Sequence, residues 1–352
     1  MPAGSRLDVL IVSLASTAGL RAADDELAAT LRRAGASAET ARAAPQRDVR
    51  TLMLTDLRWA LAARRAAATP SARAVIYSST TAALLWRRPG AIRFDAPALA
   101  NRRGRHGLWQ RPLERRRLQQ APLLLPLSDG GLAEAQPSVA MRERALVLPL
   151  PLERSGPVAP ARERDIAAIA YAGNPAKKGL DRVLAAWRAV QAERAAGAGA
   201  GAGASGGEEL VVAGASDSEL RRAGVDLSRE PSARSVGRLP REEYRALVRR
   251  ARVFVCAPRR EDYGQAQLEA LVDGCLLVTT PSPGPYAALP IARELDARLV
   301  DEDLGAALRA ALGDAGEGAE AYAERAARVL EPYSPAAIER RVAQELLPRL
   351  LP

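Results

Sequence analysis

Two rounds of a single pattern constrain what this chain can fold into. Short, continuous apolar runs alternate with segments of helical period, and the alternation starts afresh past a proline-rich seam at Pro149, Pro151, Pro157 and Pro160. Fully apolar strands separated by amphipathic helices are the pattern of a parallel sheet covered on both faces. In the first round Leu7–Leu14 predicts a strand, then a turn at Ser16–Gly19, then a helix over Asp24–Arg33 that stops at Gly35. Further strands are expected at Val49–Leu54, Ala74–Tyr77, Ala91–Phe94, Leu123–Leu127 and Leu146–Leu148. The second round predicts strands at Ile166–Tyr171, Leu210–Ala213, Val253–Ala257 and Leu276–Thr280, with helices over Gly179–Arg194, Arg241–Arg250, Gly264–Val272 and Pro335–Leu351. The Gly/Ala tract 195–207 reads as a flexible surface loop. The expected fold class is α/β, with two doubly wound, Rossmann-like domains over 1–155 and 156–332 and a ligand cleft between them at the carboxyl ends of their strands.

The chain has the length for two domains, and at 48% hydrophobic residues it can bury a core, which excludes a disordered polymer. No apolar run reaches the roughly 18 residues of a membrane-spanning helix, and Leu7–Ala15 contains Asp8 and lacks the basic start of a signal peptide. Cys256 and Cys275 are too few for a disulfide framework and fit a reducing, cytoplasmic setting. The net charge of +10 is unevenly spread: residues 1–155 hold 24 basic and 13 acidic side chains, while 156–352 are nearly balanced. Such asymmetry suggests two domains with different partners, one of them acidic or anionic. All basic residues except Lys177 and Lys178 are arginine, a bias that fits gene composition as well as function.

Several motifs have simpler explanations. Gly201–Gly206 satisfies G-x-G-x-x-G but precedes a strand, the reverse of a dinucleotide fingerprint. Asp301–Asp303 has the spacing of a metal–diphosphate pair, yet it stands where acids cap the helix Leu304–Leu312. There is no P-loop, no zinc-ligand cluster, and no nucleophile elbow to accompany the single histidine, His106. No nucleic-acid-binding module accompanies the positive charge.

The informative stretch is Val253–Leu271. A buried strand ends at Pro258, Glu261 stands at the mouth of the following turn, Gly264 opens a helix, and Glu269 lies farther along it. Gly264 allows close backbone approach, and the amides that open the helix suit an anion. One carboxylate could accept sugar hydroxyls and the other a ribose diol. The same spacing also describes a helix-start acid and a solvated helix residue, and local physics leaves both readings open.

This segment resembles the donor-binding signature of the retaining GT-B glycosyltransferases of the group 1, family 4 type, in which strand, Pro, Glu, an aromatic, Gly and a Leu-Glu-Ala step follow in order. Tyr171–Asp181 is similar to that family's strand–loop–helix with its Lys-Gly step, Leu210–Gly214 to its Val-Val-Ala-Gly strand, and Val236–Leu239 to its glycine turn near the base. Thr279–Tyr286 resembles the loop that closes the sugar pocket, and residues 333–352 the helix that crosses back to the first domain. The resemblance implies Lys178 as the cation that stabilises the leaving diphosphate, although a solvated lysine is the plainer alternative, and Glu261 as the residue that orients the donor sugar. It also implies Glu269 on the ribose and Tyr263, Gly264 and Gln265 as further donor contacts, with Gly237 near the base. Asn174 stands where the family has an arginine, with Lys177 or Arg259 as candidate substitutes. Gly19, in the Ser16–Gly19 loop, offers backbone amides to the diphosphate.

The first domain departs further. The family's histidine after a middle strand corresponds to Phe94, and the resemblance gives His106 no role. Residues 102–117 carry seven arginines around Leu108, Trp109 and Leu113, and read equally as an anionic-lipid or acidic-acceptor surface and as a solvated helix face. The resemblance implies metal-independent transfer, with retention and without a cofactor, from a UDP- or GDP-linked sugar to a hydroxyl acceptor, small or lipid-linked, in a cytoplasmic protein at or away from a membrane surface. The alternatives are a non-catalytic nucleotide-sugar-binding protein and a sugar-nucleotide epimerase of the same fold.

Overall fold

The computed structural model describes residues 7–352 except 48, 50, 69–71, 103, 159, 161–162, 198–207 and 314–316. The chain divides into two compact units, residues 1–151 with 332–352 and residues 152–331. Each is built on a five-stranded, all-parallel sheet. In the first unit the strands are β1 (Leu7–Ser13), β2 (Ala38–Arg42), β3 (Ala72–Tyr77), β4 (Ala91–Phe94) and β5 (Leu124–Pro126), in the order β2-β1-β3-β4-β5. In the second they are β6 (Ile166–Tyr171), β7 (Leu210–Ala213), β8 (Ala233–Gly237), β9 (Ala251–Cys256) and β10 (Leu276–Thr279), in the order β10-β9-β6-β7-β8. Chain direction across each sheet therefore reverses at one seam, between β1 and β3 in the first unit and between β6 and β9 in the second. Open parallel sheets bind ligands outside the carboxyl ends of the strands at such a seam.

The second unit follows the sequence pattern closely, because its strands are unbroken apolar runs. Its register aligns Ile169 with Phe254 and Val211, so β6 sits central and fully covered. The strand β8 was not anticipated: Ala-Arg-Ser-Val-Gly is an edge strand with little apolar character, paired to β7 alone. The first unit departs more. Residues 52–54, expected in a strand, open the helix Leu52–Ala66, because Thr51 caps it by accepting from the Leu54 amide and its small residues Ala60 and Ala63 are buried. The second strand lies instead at Ala38–Arg42, an edge element without a β-branched run that relies on pairing with β1 from Val9↔Ala38 onward. Leu146–Leu148 forms no strand; the Leu146 and Leu148 amides only donate to carbonyls of β5. The first helix begins at Ala18, earlier than expected, with the Thr17 side chain as its cap.

The chain's last helical stretch packs in the first unit. Ile338, Val342 and Leu346 are buried with Val9, Ile11, Leu27 and Leu31, and Arg33 pairs with Glu339 at 2.8 Å. It is not one regular helix: Pro335–Arg341 gives way to a π-type turn over Val342–Leu346 before Leu347–Leu350. Pro348 has no amide to donate and its ring crowds the preceding turn, which a widened turn relieves. Asp303 caps the helix Leu304–Gly313 by accepting from the Ala306 amide, the structural role expected of that acidic run. The Gly201–Gly206 motif lies outside the described residues.

Candidate functional site

The seam of the second unit assembles the candidate site. Past β6 the chain turns through Gly173, and Asn174 caps the single-turn helix Pro175–Lys178 by accepting from the Lys177 amide. Gly179 then takes φ +64°, and a Cβ there would lie 1.9 Å from the Ala257 carbonyl oxygen. That contact docks the end of the short helix onto the carboxyl end of β9. The Arg259 amide reinforces it by donating to the Lys177 carbonyl at 2.9 Å. Two segments far apart in sequence are thereby fixed side by side.

The result is a pairing of the Lys178 ammonium with the Glu261 carboxylate, Nζ to Oε2, at 2.5 Å. Glu261 is buried and Lys178 keeps 20% of its side chain exposed, so the pair faces solvent through the lysine. Gln267, itself buried, donates from Nε2 to the same Oε2 at 3.2 Å. Both bonds fall on Oε2, which leaves Oε1 as an acceptor for a ligand hydroxyl. The Glu261 backbone is clamped as well: its amide donates to Pro283 and its carbonyl accepts from Tyr286. Gly284, at φ +115°, packs so tightly on it that a Cβ would come within 2.1 Å of the Glu261 carbonyl oxygen.

Gly264 heads the helix Gln265–Val272 at φ +91°, and a Cβ there would meet the Tyr286 ring at 2.9 Å. Tyr286 is fixed by a 2.8 Å hydrogen bond to Thr279, while burial pushes the neighbouring Cys256 thiol up. Tyr263 is buried in this packing. Glu269, also buried, accepts on Oε1 from Arg241 at 2.7 Å and Gln265 at 2.9 Å, with Arg245 at 3.7 Å. Its Oε2 carries none of these bonds. Arg245 in turn donates to Asp273 at 2.6 Å, and Asp273 accepts from the Ser155 amide and hydroxyl. Buried charges held in such a chain are oriented by one another, and removing one partner would leave the other unpaired.

The remaining expected donor contacts are spread along the same edge of the sheet. Gly237 ends β8 at φ +69° with open space where a side chain would stand, and its carbonyl accepts from Gly214 at 2.7 Å. Gly173 and Gly214 both pack against the Tyr171 ring, which lies 5.3 Å from that of Tyr244. Asn174 spends its side-chain oxygen on the helix cap. Lys177 pairs with Asp262 and Arg259 with Asp181, both in exposed positions where ion pairs are weak. Gly19 belongs to the first unit, near the start of its first helix and with nothing near a would-be Cβ. The loop before it is shaped by Ser13, which accepts from the Ala15 amide at 3.0 Å and donates to the buried Asp24. Ala15 holds φ +52°. Phe94 is buried in the core, and His106 lies in the short 3-10 turn Gly104–Gly107.

Sequence reasoning missed Gln267, Arg241, Arg245 and Asp273. Gln267 sits inside the glutamate motif as an amide where an apolar residue would satisfy helix packing, and that was the available signal. Arg245 reads as one more charge on an arginine-rich helix; only its burial reveals its task. Among the described residues no group of three or more His, Cys, Asp or Glu side chains is placed to hold a metal ion.

Two doubly wound units with a lysine–glutamate pair at the seam of the second define a protein of the GT-B fold. Residues 164–315 match the family model of glycosyl transferases group 1, the stretch that carries the donor-site motifs. No curated protein sequence matches the chain. Among solved structures it is similar to sucrose-phosphate synthase from Thermosynechococcus elongatus, at TM-score 0.72 and 14% identity over 97% of this chain and 98% of that one. It is also similar to WaaG, a glycosyltransferase involved in lipopolysaccharide biosynthesis, at TM-score 0.70 and 16% identity over 96% and 98%. HepE from Anabaena, in complex with UDP and glucose, gives TM-score 0.63 and 10% identity over 97% and 99%. At these identities the likenesses define the fold.

Proposed function

We propose that the chain is a retaining glycosyltransferase that moves a sugar from a nucleotide-sugar donor, UDP- or GDP-linked, to a hydroxyl acceptor. The observation that carries this reading is the Lys178–Glu261 pair at the seam of the unit that matches the group 1 family. A UDP-bound neighbour of the same fold adds support.

In this reading the donor diphosphate lies against Lys178, whose ammonium, with the backbone amides that open the helix at Gly264, balances the charge that grows as the sugar departs. Preorganised charge of this kind, aimed at a developing anion, lowers the barrier most where water is excluded. Glu261, held through Oε2 by Lys178 and Gln267, offers Oε1 to a hydroxyl of the donor sugar. Glu269, held through Oε1 by Arg241 and Gln265, offers Oε2 to the ribose diol, and Gly237 leaves room for the base. The bond from the anomeric carbon to the diphosphate breaks, the acceptor oxygen bonds to the same face, and its proton passes to the departing phosphate oxygen. No protein nucleophile or metal ion takes part. Gly19 and its loop in the first unit are a further candidate for diphosphate contact.

Membrane docking through 102–117 receives less support, because Arg102, Arg111 and Arg117 are drawn into bonds with Asp56, backbone carbonyls and the Trp86 ring. No helix among the described residues is long and apolar enough to cross a membrane. The test is product analysis: the anomeric proton coupling of the glycoside formed from an α-linked donor reports the stereochemistry. An α-linked product supports the reading, and a β-linked product or release of free sugar alone rejects it.

A further inference from the structure

The helix Gln110–Gln120 borders a groove on the first unit that holds none of the residues assigned to the donor. Two adjoining hollows of about 410 Å³ and about 160 Å³ form it, and they share Arg115, Leu118, Gln119, Ala135 and Gln136. Pro97, Leu99, Pro112 and Met141 supply further apolar wall. Leu118 and Met141 are buried, whereas Leu99 keeps 40% of its surface exposed. Three guanidinium groups line the same groove, those of Arg111, Arg115 and Arg116. Arg111 donates to the carbonyls of Gly107 and Gly104, which leaves its charge without a counter-ion. Arg115 and Arg116 are exposed, and neither has a hydrogen bond or ion pair among the described residues. The one carboxylate among the described lining residues, Glu114, is buried and accepts from the Ala98 amide on both oxygens at 2.8 Å.

An apolar floor beside arginines without counter-ions narrows the ligand class from two sides. A neutral sugar would leave the cations unused, and a free phosphate would leave the apolar wall in water. Stacked bases need aromatic faces, and no aromatic side chain is among the described lining residues. An amphiphile with an anionic head satisfies both halves of the groove. Its first methylenes leave water against Leu99, Leu118 and Met141. Its head meets guanidinium forks whose planar donors match phosphate oxygens, and a phosphate has oxygens enough to share between two of them.

We propose that this groove binds a lipid phosphate, a phosphate head on a hydrocarbon chain, with Arg115 and Arg116 on the head and Leu99, Leu118, Ala135 and Met141 along the chain. Where the inference names this lipid as the anchor of the sugar acceptor it rests on the transferase reading; the groove itself stands independently of the donor.

The test is isothermal titration of the whole chain with octyl phosphate, well below its micellar concentration, beside octyl glucoside and inorganic phosphate. Octyl phosphate is expected to bind about tenfold or more tightly than either companion, because each of those carries only one half of the recognised pattern. The double variant Arg115→Gln, Arg116→Gln is expected to lose about tenfold or more of that affinity while its unfolding midpoint is unchanged, since both side chains are exposed. The control Arg64→Gln, Arg65→Gln removes the same charge from exposed positions outside the groove and is expected to leave the affinity within about twofold. Lys178→Ala is expected to abolish nucleotide binding and leave octyl phosphate bound. No binding of octyl phosphate, equal binding of octyl glucoside or inorganic phosphate, unchanged affinity in the Arg115 and Arg116 variant, or an equal loss in the control would overturn the site. Octyl phosphate binding without any nucleotide binding would keep the groove and reject the transferase reading instead.

Discussion

Lys178 and Glu261 lie 83 positions apart in sequence and 2.5 Å apart in space, and three glycines make that approach feasible. Gly179 is the most exposed to test. With φ +64° and the Ala257 carbonyl 1.9 Å from a would-be Cβ, Gly179→Ala must both strain the backbone and separate the short helix from β9. It is expected to lower stability by roughly 2–4 kcal/mol in denaturant unfolding, and to reduce turnover further than the stability loss explains. Lys178→Ala, by contrast, is expected to fold normally and to lose about 100-fold or more in kcat, with Lys178→Arg recovering only part. Gln267→Leu removes one of the two bonds on Glu261 Oε2. Its expected signature is a loss of about tenfold in kcat/KM in steady-state kinetics.

At the scale of elements, the resemblance made Glu261, Glu269 and Lys178 legible as a set, whereas their fixing was not legible. Arg241 and Arg245 reach Glu269 from a helix 20 to 30 positions upstream, and charged residues on an arginine-rich helix look alike until packing buries one of them. Strands were legible where apolar runs were continuous, as in β6, β7, β9 and β10. They were not legible at the edges, where β2 and β8 rely on pairing along one side and carry polar residues. The misread segment at 52–54 shows the competing signal: a capping threonine outweighed a short apolar run.

Glu114 gives an element-level prediction, since it ties the helix Gln110–Gln120 to the amide of Ala98. Burial raises its carboxyl above the usual glutamate range, outweighing the hydrogen bonds that lower it. A carboxyl raised in the folded state binds its proton more tightly there than in the unfolded chain, so its contribution to stability is full below the unfolded value and falls as pH rises through the folded one. The unfolding midpoint of Glu114→Gln relative to the unsubstituted chain is therefore expected to rise as pH increases from about 4.5 and then level off. A flat or falling difference would contradict the assignment.

For the whole molecule, the division into two units gives the final helical stretch a structural duty in the first. Ile338, Val342 and Leu346 are at most 3% exposed and complete the face of the sheet that holds Val9 and Ile11. Removing residues 332–352 is expected to destabilise the first unit by well over the roughly 2–5 kcal/mol of a single buried aliphatic truncation, visible as an early calorimetric transition. The basic excess of the first unit, which composition alone suggested as a surface for anions, is partly consumed internally: Arg93 reaches buried Asp24, Arg102 reaches Asp56, and Arg117 lies over Trp86. Net charge could not distinguish a binding face from such internal pairing, because the partners are far apart in sequence.

The most direct measurement of the central claim is thermal unfolding of the whole chain against UDP, GDP, ADP and TDP and their common sugars, first without divalent metal and then with magnesium. At 100 times its dissociation constant a ligand adds about 2.7 kcal/mol, readily seen as a raised midpoint. The account predicts a rise with one base and its sugar, present without metal and lost in both Lys178→Ala and Glu269→Ala. No rise with any nucleotide, or a rise that both variants retain, would contradict it.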